Sequence, residues 1–258
     1  MGRVAFIGAG PGAADLITVR GARLLAQAEV VLFDALTDPA LRELAPGATW
    51  VHVGKRGFAD STGQATINAL LVRHAREATL VVRLKGGDPS VFGRLEEELE
   101  ALAAADIACE VVPGVTAALA AAAETRRPLT RRGSGRSVAL TTAMTREGAL
   151  RGGHAADTEV FYMAGKQLAA LARRLREAGW ATDAPVSVVS RAGWPDVLAS
   201  QHSVATLGQA TVLHAGRPTV VTVGAGAAAV AGVAVKPQGG RESPLLETGQ
   251  EQAQTLRP

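Results

Sequence analysis

The sequence predicts an α/β protein made of two consecutive α/β units. Three observations lead there. Short Val-rich runs alternate with stretches of helical spacing, the pattern of a mostly parallel sheet covered on both faces. Pro113-Gly114 interrupts that pattern, an Ala-rich stretch follows, and the alternation then restarts as a smaller unit. The chain has 258 residues, room for one large or two small domains. Its 47% apolar content can fill their cores, but with aromatics at 3% the filling must come from Ala, Val and Leu. The expected division is residues 1–113, residues 114–235, and a mobile tail over 236–258 that is rich in Gly, Pro, Gln and Glu.

In order, VAFIGA (4–9) reads as a buried strand and residues 15–27 as a helix carrying Leu16, Val19, Leu24 and Leu25. EVVLFDAL (29–36) is the second strand. A Pro-led helix starts at Pro39, TWVHVG (49–54) is a strand, 62–77 a helix, and LVVRLKGG (80–87) a strand. Residues 94–105 form a helix and IACEVVPG (107–114) the fifth strand. Beyond the seam, 116–124 is an Ala-rich helix. SVALTTA (137–143), EVFYMA (159–164), PVSVVSRA (185–192) and PTVVTVG (218–224) are strands, with a helix at 166–178.

Bulk properties exclude several roles. A net charge of +3 suits an anionic small molecule as well as nucleic acid, but so few aromatics argue against base stacking. We therefore expect no nucleic-acid partner. Cys109 is the sole cysteine, so an internal disulfide is impossible, and its apolar surroundings predict a packed core residue. The five histidines are scattered and no metal site is expected. No signal peptide is visible, and glycines and threonines in the apolar 218–235 stretch favour a strand and turn over a membrane span. The expectation is a cytoplasmic protein without a membrane partner.

The opening Gly8-Ala9-Gly10-Pro11-Gly12 with Ala13 satisfies a dinucleotide fingerprint, and Asp34 ends the next strand where a ribose-binding acid would belong. Taken alone this reads as an NAD(P)-dependent oxidoreductase. Pro11, however, removes one N–H that a pyrophosphate would use. A tight turn with no ligand is the third possibility.

Further stretches weigh on this choice: VGKR (53–56), VRLKGGDPSVFGR (82–94), EVVPGVTAALAA (110–121), FDAL and FYMAG. In order and spacing the set resembles the uroporphyrinogen-III C-methyltransferase family, within the larger group of tetrapyrrole methyltransferases, over roughly residues 3–225. The resemblance implies two α/β domains with S-adenosyl-L-methionine (SAM) in a cleft between them, a homodimer, and a tetrapyrrole acceptor; S-adenosyl-L-homocysteine is the product of the donor. By that resemblance Pro11, Gly86, Gly87, Asp88, Val91, Thr116, Ala117, Met163 and Ala192 contact SAM. Asp34 and Lys55 become proton acceptor and proton donor, and Arg56 and Arg94 line the acceptor side; Arg131, from the basic run TRRPLTRRGSGR, is a further candidate for binding the acceptor's carboxylates.

Each residue also has a plainer reading. Asp34 suits a strand-end turn, Lys55 a solvated charge, Asp88 a turn cap beside Pro89, Met163 core packing, and the Arg126–Arg136 run a solvated basic loop. The chain departs from the family where FGR continues as LEEELE instead of through glycines, where PLTRRG puts Arg131 in place of histidine, and in GWPDVLASQ. The expected reaction is methylation of uroporphyrinogen III at C2 and C7 to precorrin-2, for siroheme and cobalamin synthesis. A related corrinoid-precursor methyltransferase, an oxidoreductase and a catalytically idle binding protein stand as alternatives.

Overall fold

A computed structural model describes residues 2–54, 63–143 and 153–233. It divides into two compact units, one ending at Gly114 and the other beginning at Val115.

The first unit holds strands β1 (Arg3–Gly8), β2 (Val30–Phe33), β3 (Thr49–His52), β4 (Leu80–Lys85) and β5 (Cys109–Val112), with helices α1 (Val19–Leu25), α2 (Gln64–Glu77) and α3 (Leu95–Ala104). The sheet order is β3-β2-β4-β1-β5 and every pairing is parallel. Side chains alternate across each strand. Ala5, Ile7, Val82 and Leu84 pack on one face with Leu25 and Leu41. Val4, Phe6 and Val81 pack on the other with Ile67, Leu71 and Leu102 of α2 and α3. Both faces are thus covered, as the continuous apolar runs require.

The expected helix over 15–27 is two pieces: a 3-10 helix Ala14–Leu16, then α1. Thr18 divides them because its hydroxyl accepts from the Gly21 N–H at 3.1 Å and starts α1 afresh. The Pro-led helix is a 3-10 helix, Pro39–Leu44, capped by Asp38 through the Ala40 N–H at 2.9 Å. Cys109 is exposed, against expectation, because β5 is an edge strand whose burial is sparse outside Val112.

The carboxyl ends of β1, β4 and β5 meet at three glycines. A Cβ on Gly8 would stand 2.5 Å from the Gly114 Cα and 2.7 Å from the Gly87 carbonyl oxygen. Only hydrogen fits there. Gly10 and Gly87 also bond reciprocally, N to O, at 3.3 and 2.7 Å.

The second unit holds β6 (Val138–Thr142), β7 (Thr158–Tyr162), β8 (Pro185–Ser190), β9 (Leu198–Ser203) and β10 (Thr219–Gly224), with α4 (Ala117–Thr125), α5 (Leu168–Glu177) and α6 (Ala210–Leu213). Its order is β6-β7-β10-β8-β9, and only β6–β7 is parallel. It is not the smaller sheet expected, since β9 brings it to five strands as well. Leu168, Leu171 and Leu175 of α5 pack on Phe161, Val186, Val188, Val221 and Val223.

A polar relay runs from the buried His214 and Ser190 to the half-buried Ser200 and His202. His214, 0% exposed, joins Ser190 Oγ through Nδ1 at 2.5 Å and Ser200 Oγ through Nε2 at 2.8 Å. Ser200 Oγ also meets His202 Nε2 at 2.8 Å. Burial first, then His202 and Arg217, lower the His214 pKa to about 4. The unfolded chain, near the ordinary imidazole value, binds the proton first as pH falls.

Stability contributed by neutral His214 is complete above about pH 6.5 and is lost as pH falls toward about 4. Urea unfolding of His214→Gln should accordingly show a flatter pH dependence over that interval; a slope equal to the parent's would disprove the linkage. Gly8→Ala must push strand ends apart and should cost about 1–3 kcal/mol. An unchanged urea midpoint would mean that the strand ends have slack.

Candidate functional site

Every site residue placed in the first unit lies at the carboxyl edge of the sheet, where open parallel sheets bind ligands. Pro11 follows β1, Asp34 follows β2, and Gly86-Gly87-Asp88 follow β4. Lys55 and Arg56 lie outside the described residues.

The turn after β1 enters three residues of 3-10 helix, and α1 begins only at Val19. The bundle of aligned N–H groups that a phosphate needs at a helix start is therefore missing from this turn. The Ala14 N–H points instead to Asp38 Oδ2 at 3.1 Å.

Asp88 ties the edge together. Its Oδ1 accepts from the Ser90 N–H and its Oδ2 from the Gly114 N–H, each at 2.8 Å. The turn-cap reading is thus satisfied, and each oxygen keeps a lone pair for a ligand donor. Val91 N–H closes the turn onto the Asp88 carbonyl at 3.2 Å. Phe92 and Arg94 then take positive φ, 53° and 54°, on either side of Gly93. Arg94 forks onto Glu97 with Nε and a terminal nitrogen at 2.8 and 2.6 Å, and this hydrogen bond raises its pKa. Leu95, the departure from the family's glycines, simply opens α3 and packs against the adjoining core.

Asp34 is half-buried. Its Oδ1 accepts from a terminal guanidinium nitrogen of Arg83 at 2.8 Å, and its carbonyl accepts from the Thr37 hydroxyl at 2.8 Å. A Cβ on Gly54 would stand 2.2 Å from the Ala35 nitrogen, so the end of β3 lies against the Asp34 backbone.

Beneath Asp34 is a buried cluster that the sequence reading passed over. Arg83 Nε donates to Glu98 Oε1 at 3.0 Å, and Lys85 Nζ to Glu98 Oε2 at 2.8 Å. Arg83, Lys85 and Glu98 are 2%, 3% and 0% exposed. Burial, followed by the Arg83 charge, lowers the Lys85 pKa against the pull of Glu98. The signal was two cations at i and i+2 of a strand otherwise apolar, which share one face and demand a buried anion.

In the second unit, Thr116 precedes α4 but sends its hydroxyl to the Tyr162 hydroxyl at 2.8 Å, and Ala117 is the helix's first residue. Met163, just past β7, takes φ 58° and is 44% exposed, so core packing does not describe it. Ala192 is buried beside Arg191, which has φ 52°. Arg191 holds Asp196 at 2.6 Å, and Asp196 also pairs with Arg217; these ties, led by Arg191, lower the Asp196 pKa. The guanidinium of Arg131 donates to the Ala228 and Ala229 carbonyls, and that of Arg127 to the Ala227 carbonyl. Arg131 is thus engaged with main chain.

Comparison with known proteins gives a consistent result. Residues 3–211 match the family described as Tetrapyrrole (Corrin/Porphyrin) Methylases. The chain is 44% identical over 198 residues to the uroporphyrinogen-III C-methyltransferase of Pseudomonas aeruginosa, covering 74% of this chain and 80% of that enzyme. It is 45% identical over 193 residues to the siroheme synthase of Edwardsiella ictaluri, covering 73% of this chain but only 42% of that longer protein. Among solved structures, uroporphyrin-III C-methyl transferase from Thermus thermophilus, complexed with S-adenyl homocysteine, superposes with a TM-score of 0.76 at 36% identity, over 86% of this chain and 97% of that one. A cobalt precorrin-4 methyltransferase gives 0.77 at 30% identity, over 88% and 96%. The chain belongs to the tetrapyrrole methylase family.

Proposed function

We propose that this protein is a SAM-dependent C-methyltransferase acting on uroporphyrinogen III, at C2 and C7, to give precorrin-2 for siroheme and cobalamin synthesis. Its similarity to enzymes of that name supports the substrate. One feature of the site carries the choice of cofactor. The edge after β1 and β4 offers main chain and the carboxylate of Asp88, without an α-helix start. An anion there repels a pyrophosphate and suits a ligand bearing amino and hydroxyl donors. The residues present therefore fit SAM, and they disfavour the NAD(P) alternative.

In the proposed arrangement Pro11, Gly86, Gly87 and Val91 present main chain to the cofactor and Asp88 accepts from its donors. Thr116, Ala117, Met163 and Ala192 are its proposed contacts in the second unit. SAM supplies an electrophilic methyl on sulfur. Asp34, its carboxylate aimed by Arg83, takes the proton that the methylated ring must lose, and Lys55 donates one where the ring needs it. Arg56, Arg94 and Arg131 are the proposed grips for a polyacidic macrocycle; Arg94 has to share with Glu97, and Arg131 has to leave its carbonyls. We propose a homodimer that works in the cytoplasm. Among the described residues no helix is long and apolar enough to cross a membrane.

A corrinoid precursor is the second reading, supported by the equally good superposition on cobalt precorrin-4 methyltransferase. Incubation with SAM and each ring acceptor, followed by mass, separates the two. Gain of two methyl groups on uroporphyrinogen III is expected; methylation of a later precursor alone would overturn the first reading. Placed proton-transfer groups contribute about 10²–10⁴-fold. Asp34→Asn should lower kcat within that range while calorimetry finds S-adenosylhomocysteine binding intact, and wild-type turnover would remove Asp34 from the chemistry. Asp88→Ala leaves the Ser90 and Gly114 N–H groups without their acceptor, should cost about 1–3 kcal/mol of stability, and should weaken S-adenosylhomocysteine binding. Undiminished binding would confine Asp88 to the turn.

A further inference from the structure

We propose that Glu98 is a positioning residue for methyl transfer, fixing Asp34 through Arg83. The proposal rests on the reading of Asp34 as the proton acceptor. Glu98 is fully buried, whereas Glu96 and Glu100 on the same helix are exposed. Its two oxygens are divided: Oε1 takes Arg83 Nε at 3.0 Å and Gln64 Nε2 at 3.3 Å, and Oε2 takes Lys85 Nζ at 2.8 Å. Arg83 is held on its other side by the Leu84 and Leu32 carbonyls at 3.2 and 3.5 Å.

A guanidinium is planar and rigid, so fixing Nε and one terminal nitrogen fixes the direction of the other. That remaining nitrogen is the one that meets Asp34 Oδ1 at 2.8 Å. The alternating series Lys85, Glu98, Arg83, Asp34 starts in the core and ends at its one solvent-accessible member, whose side chain is 30% exposed. Stability alone does not call for this arrangement, because apolar side chains of similar volume serve a core at least as well as buried ion pairs. Without Glu98, Arg83 loses the anchor at Nε, and the carboxylate it aims is free to turn.

The test uses the full chain with SAM and uroporphyrinogen III, comparing Glu98→Gln, Asp34→Asn and the double variant. Misplacing a reacting group by about 1 Å can cost on the order of 100-fold. Glu98→Gln should lower kcat about 10–100-fold, leave KM for SAM and S-adenosylhomocysteine affinity unchanged, and regain turnover as Glu98→Asp. The double variant should be no slower than Asp34→Asn alone, since both act on one group. Losses that multiply in the double variant, a raised KM for SAM at unchanged kcat, or wild-type kcat in Glu98→Gln would each overturn the proposal. If Asp34→Asn itself keeps wild-type kcat, the proton-acceptor reading fails, and this arm shows it independently of Glu98. Should Glu98→Gln fold poorly, Glu98→Gln/Lys85→Gln removes one charge of each sign and is read by the same kcat and KM criteria.

Discussion

The first unit depends on main chain meeting main chain at one edge of its sheet. Gly8 and Gly114 leave no room for a Cβ against each other or against the Gly87 carbonyl, so the ends of β1, β4 and β5 lie closer together than side chains would permit. Asp88 then binds the loop after β4 to the segment after β5 through the Gly114 N–H. Because the contact is backbone on backbone, its geometry varies little with side-chain motion. The same packing leaves the loop from Gly86 to Arg94 with little choice of path. It turns through positive φ at Phe92 and Arg94, conformations that cost about 1–3 kcal/mol each and persist only where surrounding structure imposes them. Met163, itself a proposed cofactor contact, and Arg191, beside Ala192, show the same strain in the second unit. Among the described residues, four of the six non-glycine positive φ values therefore fall at or next to proposed ligand positions.

A second constraint sits under that edge. β4 must supply both core and charge, and it does so by alternation: Val82 and Leu84 face α1, while Val81, Arg83 and Lys85 face α2 and α3. Two cations in that layer are tolerable only because Glu98 accepts from both and because carbonyls take up remaining donors. Removing one member of a buried pair typically costs about 3–5 kcal/mol. The cluster is therefore demanding, and its outward end is the carboxylate of Asp34. Core packing and the aim of a reactive group are here set by the same four side chains.

Much of this was legible in the residues. The Val-rich runs become strands within one to three residues of their expected ends, because a strand buried on both faces has no other composition available to it. Asp34, Gly86, Gly87 and Asp88 fall at strand ends, where their motifs put them. Other features were hidden for physical reasons. β9, reading LASQHS, is a polar edge strand with an alternating, half-buried pattern, so it offers no apolar run. The antiparallel pairing of the second sheet depends on connections that hydrophobic periodicity does not encode. Thr18 lies inside the 15–27 stretch of helical spacing, yet its hydroxyl caps α1, a role that the spacing of apolar residues does not encode. Cys109 sits on a strand, but an edge strand has a solvent side. The His214 relay joins residues from β8, β9 and the turn after α6, and no local pattern marks it.

The glycine turn at residues 8–12 shows why a motif needs its structural context. In a dinucleotide fold the glycines matter because they deliver a ligand's phosphates to the first N–H groups of an α-helix. Here the glycines remain and the helix does not. Pro11 lacks its N–H, the Ala14 N–H is taken by Asp38, and α1 begins several residues later with its own Thr18 cap. What survives is the other property of glycine, close approach of backbone to backbone, shown by the paired Gly10 and Gly87. An edge of that kind favours a ligand held by main-chain shape and one carboxylate over a ligand held by charge. The sequence pattern is shared between the two cases because the steric need for glycine is shared; the electrostatics that would distinguish them reside in the residues after the motif.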